Sequence, residues 1–269
     1  MLVFPNAKIN IGLQIGSKRS DGYHNIKSVF YPISTCDILE FIPDLETNLT
    51  VYGNSIEGKM EDNLVYKAYL LLQKDFYKIK PGIIHLFKNI PSGAGLGGGS
   101  ADASFMLKLL SDFFKLDIEP KQLEKYALIL GSDCPFFIEN KPKLISGRGE
   151  IMEDIELNLS KYNIQLICPN IHISTKEAYN NINRNKQIEF NFNEILSLPI
   201  TDWKNWLKND FEDYVFAKAP AVKKIKDQLY HQGALYASMS GSGSSVYGIF
   251  PKNKKANIDI DIDFKEFIC

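Results

Sequence analysis

A mixed fold of strands and helices is predicted by three stretches of this 269-residue chain. Lys8 to Ile15 alternates polar and apolar residues without a fault, the pattern of a half-buried strand. Ile83-Ile84-His85-Leu86-Phe87 reads as a second, apolar strand. Across a glycine run it leads to Phe105, Met106, Leu109, Leu110, Phe113 and Phe114 at helical spacing. From Ile164-Gln165-Leu166-Ile167-Cys168 onward a buried strand is followed by helical and again strand-like segments, with no internal repeat along the chain.

Period two puts Lys8, Asn10, Gly12 and Gln14 on one face of the first strand and Ile9, Ile11, Leu13 and Ile15 in the core. The polar face either lines a site or meets solvent; the strand alone favours solvent. Asp21-Gly22 marks a turn, and strands follow near 25–33, 37–42 and 48–52. Residues 63–77 form a helix capped by Asn63, and helices at 101–115 and 120–130 follow the 83–88 strand. Gly131-Ser132-Asp133-Cys134-Pro135-Phe136-Phe137 is a loop before an apolar strand, with Asp133 either capping a turn or serving a site. The polar stretch 140–163 suggests a domain boundary near 150–160. Beyond it, Ser174-Thr175 cap a helix at 175–183, further helices lie near 203–208 and 219–232, and Gly233 ends the last. Met239 to Ser245 is a Gly/Ser loop between two strands, and the alternating tail 257–264 reads as an amphipathic strand.

The richest stretch is 91–104, PSGAGLGGGSADAS. A glycine run between a strand and a helix start lets backbone N–H groups approach an anion, and the helix dipole adds positive potential. The alternative is a flexible linker, but no linker carries a periodic helix directly behind it. Ser100 is the expected N-cap and Asp102 an acid in the first turn. No Lys follows the glycines, so this is not a Walker A loop. Gly93 to Gly98 matches GxGxxG. The helix behind it runs into another helix start at 117–124 rather than a strand ending in an acid, which counts against a dinucleotide-binding unit.

A net charge of −1 gives no basic field for nucleic acid, and no apolar run approaches the length that spans a bilayer. The N-terminus lacks the basic and apolar regions of a signal peptide. Cys36, Cys134, Cys168 and Cys269 show no metal or redox spacing, so free thiols in a reducing cytoplasm are expected.

Three motifs in order now form a set: Pro5-Asn6-Ala7-Lys8-Ile9-Asn10, the glycine loop 91–104 and the loop 239–245. Over essentially its whole length the chain resembles the small-molecule kinases of the galactokinase, homoserine kinase, mevalonate kinase and phosphomevalonate kinase (GHMP) superfamily. Arg19-Ser20-Asp21-Gly22-Tyr23-His24, Gly95 to Ala103 and Gly131 to Phe137 are similar to one branch of it. That branch acts on a cytidine diphosphate-linked methylerythritol in the non-mevalonate isoprenoid pathway. Ala101 stands where that branch commonly has Ser, and Cys134 where Val or Ile is common.

The resemblance implies an α+β fold of two domains, a ribosomal-S5-like domain at 1–155 and a ferredoxin-like domain at 156–269, with the active site in the cleft between them. It implies ATP and Mg²⁺ as cofactors, with no metal ligand assigned. Asp133 is the expected base for the substrate hydroxyl, and Lys8 its neighbour that orients the hydroxyl and stabilises charge. Pro91, Ser92, Gly93, Ala94, Gly95, Leu96, Gly97, Gly98, Gly99 and Ser100 would cradle the ATP phosphates, with Asn63 near the adenine. Tyr23 and His24 match the cytosine-binding pair and Tyr179 the opposing aromatic, with a core or surface aromatic as the alternative for Tyr179. Asn10, Thr175, Gly241 and Ser242 complete the substrate contacts. A small-molecule substrate, no nucleic-acid or membrane partner, and a monomer or weak homodimer follow. Two other readings are a sibling kinase for homoserine, mevalonate or a sugar, and a non-catalytic nucleotide sensor. Asp21 to His24 argues against the first and the retained Lys8, Asp133 and glycine loop against the second.

Overall fold

The computed structural model describes residues 1–55, 58–182 and 191–269. In chain order the first part runs β1 (Leu2–Val3), β2 (Asn6–Lys18), β3 (His24–Cys36), β4 (Ile38–Pro43), β5 (Asn48–Gly53), α1 (Leu64–Asp75), β6 (Gly82–Lys88), α2 (Gly98–Phe113), α3 (Pro120–Leu130) and α4 (Phe136–Glu139). Next come β7 (Lys143–Ser146), β8 (Ile151–Asp154), β9 (Tyr162–Pro169), α5 (Thr175–Asn180), α6 (Phe192–Leu196), α7 (Ile200–Trp203), α8 (Glu212–Lys218), α9 (Pro220–His231), β10 (Tyr236–Met239), β11 (Val246–Pro251) and β12 (Phe264–Ile268). Among the described residues no helix is long and apolar enough to cross a membrane.

The chain forms two compact units that interleave along the sequence. Unit 1 holds Met1–Lys8, Ser34–Ser92 and Gly97–Lys141; unit 2 holds Ile9–Ile33, Gly93–Leu96 and Pro142–Cys269. In unit 1 a sheet of order β1-β4-β6-β5 is antiparallel except for the β5–β6 pair, which α1 joins as a parallel crossover. Leu39, Phe41, Ile84 and Leu86 of that sheet pack with Val65, Tyr69 and Leu72 of α1 and Met106, Leu109 and Leu110 of α2. The helical spacing of α1 buries one stripe of it, while α2 is covered nearly all round, from Ala101 to Ser111. Asn63 caps α1, its side-chain oxygen accepting from Val65 N–H at 2.9 Å.

Unit 2 contains the antiparallel sheet β10-β11-β9-β12, and most of a second sheet of order β2-β3-β7-β8. Its core joins Ile167, Met239, Val246 and Phe250 to Val215 of α8 and Val222, Ile225 and Leu229 of α9.

Five local expectations are corrected. Helix α2 begins at Gly98 behind Gly97, whose φ of +71° makes the left-handed entry, so Ser100 lies inside the first turn and is not the cap. Asp102 is not a first-turn acid; it is 2% exposed and accepts a hydrogen bond from Lys88. The segment after Asp133 is the one-turn helix α4, because Phe136 and Phe137 bury on consecutive helical positions. The helix expected at 203–208 sits earlier, at α7. The alternating tail 257–264 is irregular until β12, since its alternate residues pair with no neighbouring strand before Phe264.

Candidate active site

The glycine loop owes its path to alternation. Gly93, Gly95 and Gly97 take φ of +66°, +78° and +71°, a region open to residues without a Cβ, while Ala94 and Leu96 between them bury their side chains. The apolar residues anchor the turn, and the glycines leave its backbone bare.

In unit 1, Gly97 at the end of this loop lies against Lys8 of the first strand and Phe137 of α4. Lys8 is 3% exposed, and its ammonium lies 3.5 Å from Asp133 Oδ2, a carboxylate one-third exposed. The expectation of a solvated polar face on β2 is therefore overturned: Lys8 and Asn10 are both buried. Burial holds the Lys8 pKa below its ordinary value of 10.5, and the charge and hydrogen bond of Asp133 pull it part of the way back. A Cβ on Gly97 would stand 3.3 Å from Lys8 Cε and 3.0 Å from Phe137 Cζ, so the lysine stem passes close over a residue that has to be small.

The Asp133 loop is fastened to α2. Gly131 N–H closes α3 on Ala127 O, and Cys134 N–H turns back to Gly131 O. Ser104 Oγ, fully buried, lies 2.7 Å from Cys134 O and 2.9 Å from Ser100 O. Burial pushes the Cys134 thiol up to about 11, so it stays protonated, and Ser100 is hydrogen-bonded to it. Ala101 is fully buried.

Sequence reasoning missed a second buried cluster bracketing the glycine turn. Lys88 at the end of β6 is ion-paired to Asp37 and donates a hydrogen bond, at 2.6 Å, to Asp102 of α2. Asp37 Oδ1 also accepts from Asn89 and Ile90 N–H at 2.6 and 2.8 Å. The strand exit and the helix on either side of the loop are thus tied together. Desolvation raises Asp102 to about 8 against the pull of Lys88, and its Oδ1 is buried without a hydrogen-bond partner. No periodicity announces such a cluster; Asp37 shows only as one acid between two apolar strands.

Unit 2 gathers the aromatic candidates. Tyr23 is exposed and His24 half-buried. Tyr179 stacks on His24, centroids 5.3 Å apart and planes at 20°, and meets Phe211 edge-on at 4.9 Å. The Arg148 guanidinium, overlooked in the sequence, lies 5.3 Å over the Tyr23 ring. Thr175 and Ser242 hydroxyls meet at 2.8 Å. Asn10 donates to Ser28 Oγ at 2.9 Å, and its carbonyl accepts from Tyr247 OH at 2.8 Å. Gly95 and Gly241 pack so closely that a Cβ on Gly241 would stand 2.9 Å from Gly95 Cα. Pro91, Ser92, Gly98 and Gly99 lie at the loop ends, half-buried or exposed.

Residues 63–141 match the family description "GHMP kinases N terminal domain" and residues 195–261 match "GHMP kinases C terminal". A 4-diphosphocytidyl-2-C-methyl-D-erythritol kinase of Azobacteroides pseudotrichonymphae is 54% identical over 252 residues, covering 94% of both chains. One of Bacteroides thetaiotaomicron is 53% identical over 254 residues, covering 93% of this chain and 92% of its own. The crystal structure of a 4-(cytidine 5'-diphospho)-2C-methyl-D-erythritol kinase superposes with a TM-score of 0.78 at 28% identity, covering 93% of this chain and 90% of that one. A homoserine kinase from Cytophaga hutchinsonii, 16% identical with a TM-score of 0.65 over 98% of this chain and 93% of its own, shares the fold.

Proposed function

We propose, from the premise that this chain belongs to the GHMP kinases and within them to the 4-diphosphocytidyl-2-C-methyl-D-erythritol kinase family, that it transfers the γ-phosphoryl group of ATP to the 2-hydroxyl of 4-diphosphocytidyl-2-C-methyl-D-erythritol. The observation that carries the mechanism is the Lys8–Asp133 pair at 3.5 Å beside Gly97. The substrate oxygen forms a bond to the γ-phosphorus as the bond to the β-phosphate oxygen breaks. Its proton passes to Asp133 and ADP leaves. Lys8, held cationic by that carboxylate, orients the hydroxyl and offsets the growing negative charge.

Behind Pro91, which has no N–H to give, the backbone N–H groups of residues 92–100 cradle the phosphates, and Ser104 keeps the Asp133 loop on α2. Asn63 spends its side-chain oxygen on the α1 cap, so what it offers an adenine is its amide nitrogen. Tyr23 and His24 take the cytosine, with Tyr179, which lies stacked on His24, as the opposing aromatic and Thr175, Ser242, Gly241 and Asn10 ordering the rest of the substrate pocket.

Among the described residues no cluster of three or more His, Cys, Asp and Glu side chains could hold a metal ion. Mg²⁺ would come with the nucleotide phosphates, beside the loop at 91–100 that cradles them and the Ser100 hydroxyl in the first turn of α2. When bound, Mg²⁺ neutralises phosphate charge. Cytoplasmic action as a monomer or weak homodimer, and a domain boundary near 155, belong to the same proposal; the four cysteines, all unbridged, suit a reducing compartment.

The test is ADP release from ATP and Mg²⁺ with four acceptors: the cytidine substrate, homoserine, mevalonate and galactose. Turnover with the first alone supports the reading. Turnover with another reassigns the substrate, and none with any acceptor favours a nucleotide sensor.

A further inference from the structure

Between α7 and α8 the chain passes through Lys208-Asn209-Asp210-Phe211-Glu212, a stretch to which the mechanism above gives no part. It is clamped on two sides within unit 2. On one side it runs beside β2: Leu13 N–H donates to Lys208 O at 2.8 Å, Asp210 N–H to Leu13 O at 2.9 Å, and Ile15 N–H to Asp210 Oδ2 at 2.7 Å. On the other side it grips the Gly/Ser loop. Asn209, 3% exposed, sends both amide hydrogens to that loop, to Met239 O and Gly241 O, each at 2.8 Å, while its oxygen accepts Phe211 N–H at 3.0 Å. Glu212 Oε1 accepts Met239 N–H at 2.9 Å, and Lys226 holds its other oxygen at 2.6 Å.

Only an amide side chain donates twice and accepts once from one planar group. The loop so held is the one whose Ser240 Oγ donates to Gly95 O at 2.9 Å and whose Gly241, at φ +56°, lies against Gly95. A shift of the Gly241 carbonyl moves Ser242 directly, and Ser242 meets Thr175 at 2.8 Å.

We propose that Asn209 is a positioning residue for the reaction: by fixing the carbonyls of Met239 and Gly241 it sets where Gly241 and Ser242 meet the cytidine substrate. This rests on the assignment of those two residues to the substrate pocket.

Two variants test it. Asn209→Asp keeps the size and the acceptor for Phe211 but turns a carboxylate oxygen toward two carbonyls. Asn209→Ser keeps a hydroxyl that can accept from Phe211 and loses the reach to both. Amide hydrogen exchange on the full chain reads the clamp without any activity, because Ser240 and Gly243 N–H are hydrogen-bonded within the loop and Ser245 N–H to Ala94 O. Exchange should quicken in the peptide spanning 239–245 while β9 keeps its protection. KM for the cytidine substrate should rise about tenfold or more in both variants, a change that a reduced folded fraction cannot produce. In Asn209→Asp alone KM should fall back as pH drops from 8 to 6 and a protonated carboxyl regains a donor.

Wild-type KM and wild-type exchange in both variants overturn the proposal. So does faster exchange throughout the chain with KM unchanged, which marks a merely structural asparagine. If the wild-type protein leaves the cytidine substrate untouched, the assigned reaction and the positioning role fall together, and exchange confined to 239–245 still establishes the clamp.

Discussion

Replacing Asp133 by Asn removes the proposed base while keeping the shape of the side chain. A positioned base contributes about two to four decades in rate, which at 1.36 kcal/mol per decade is about 2.7–5.4 kcal/mol of transition-state stabilisation. The same change strips Lys8 of the partner at 3.5 Å that opposes its desolvation. Asp133 is one-third exposed, so water already screens the pair. The loss of folding stability should lie between exposed and buried values, about 1–2 kcal/mol, and the protein should stay folded. The Lys8 pKa, already below 10.5, should drop further. Deprotonation of Lys8 then gives the wild-type kcat profile an alkaline limb below the ordinary lysine range, and in Asp133→Asn what activity remains should fall off at still lower pH. ADP release at saturating substrates, followed from pH 6 to 10 beside a circular dichroism melt, measures both. A folded Asp133→Asn protein with kcat within tenfold of wild type would refute the assignment of Asp133 as base.

Tyr23→Ala should raise KM for the cytidine substrate roughly 5- to 100-fold, the worth of one base stack, with a smaller change in kcat; unchanged KM would put the cytosine elsewhere. Gly95→Ala should destabilise the protein by about 2–5 kcal/mol, because φ is +78° and the new Cβ overlaps the Ser240 carbonyl. The midpoint of thermal unfolding should fall by about 5–15 °C, and an unshifted midpoint contradicts the packing of the two loops. Asp102 keeps its proton in the fold up to about pH 8 but loses it near 3.8 when unfolded. The folded state therefore binds more protons at this position between those limits, and its contribution to stability falls as pH rises through them. Asp102→Asn should gain in urea midpoint relative to wild type from pH 5 to pH 8, and a constant difference counts against the buried, protonated acid.

What was legible in the sequence is what local chemistry enforces. The strict alternation of residues 8–15 lies within β2, Asn63 caps α1 as an N-cap asparagine should, and Gly233 follows α9. The Gly/Ser run at 239–245 lies between two antiparallel strands. The glycine loop was readable because φ values of this sign leave glycine few rivals. Where the prediction slipped, two local signals competed. Ser100 is a good cap by type, but Gly97 could make the left-handed turn three residues earlier and won. The tail alternates like a strand, yet alternation forms a strand only where a neighbour offers its edge.

The sequence by itself determined the family and most of the strands and helices in their order. Tertiary structure alone decided that both faces of β2 are covered, so that Lys8 is a buried cation whose carboxylate partner lies 125 positions along the chain (133 − 8). It also decided that Asp37 and Asp102 share Lys88, and that Asn209 fastens a loop thirty residues away. Periodicity, capping and turn chemistry act over a few residues and leave a mark in any short window. Desolvation and ion pairing depend on what packs against a group from elsewhere in the chain, and no window contains that.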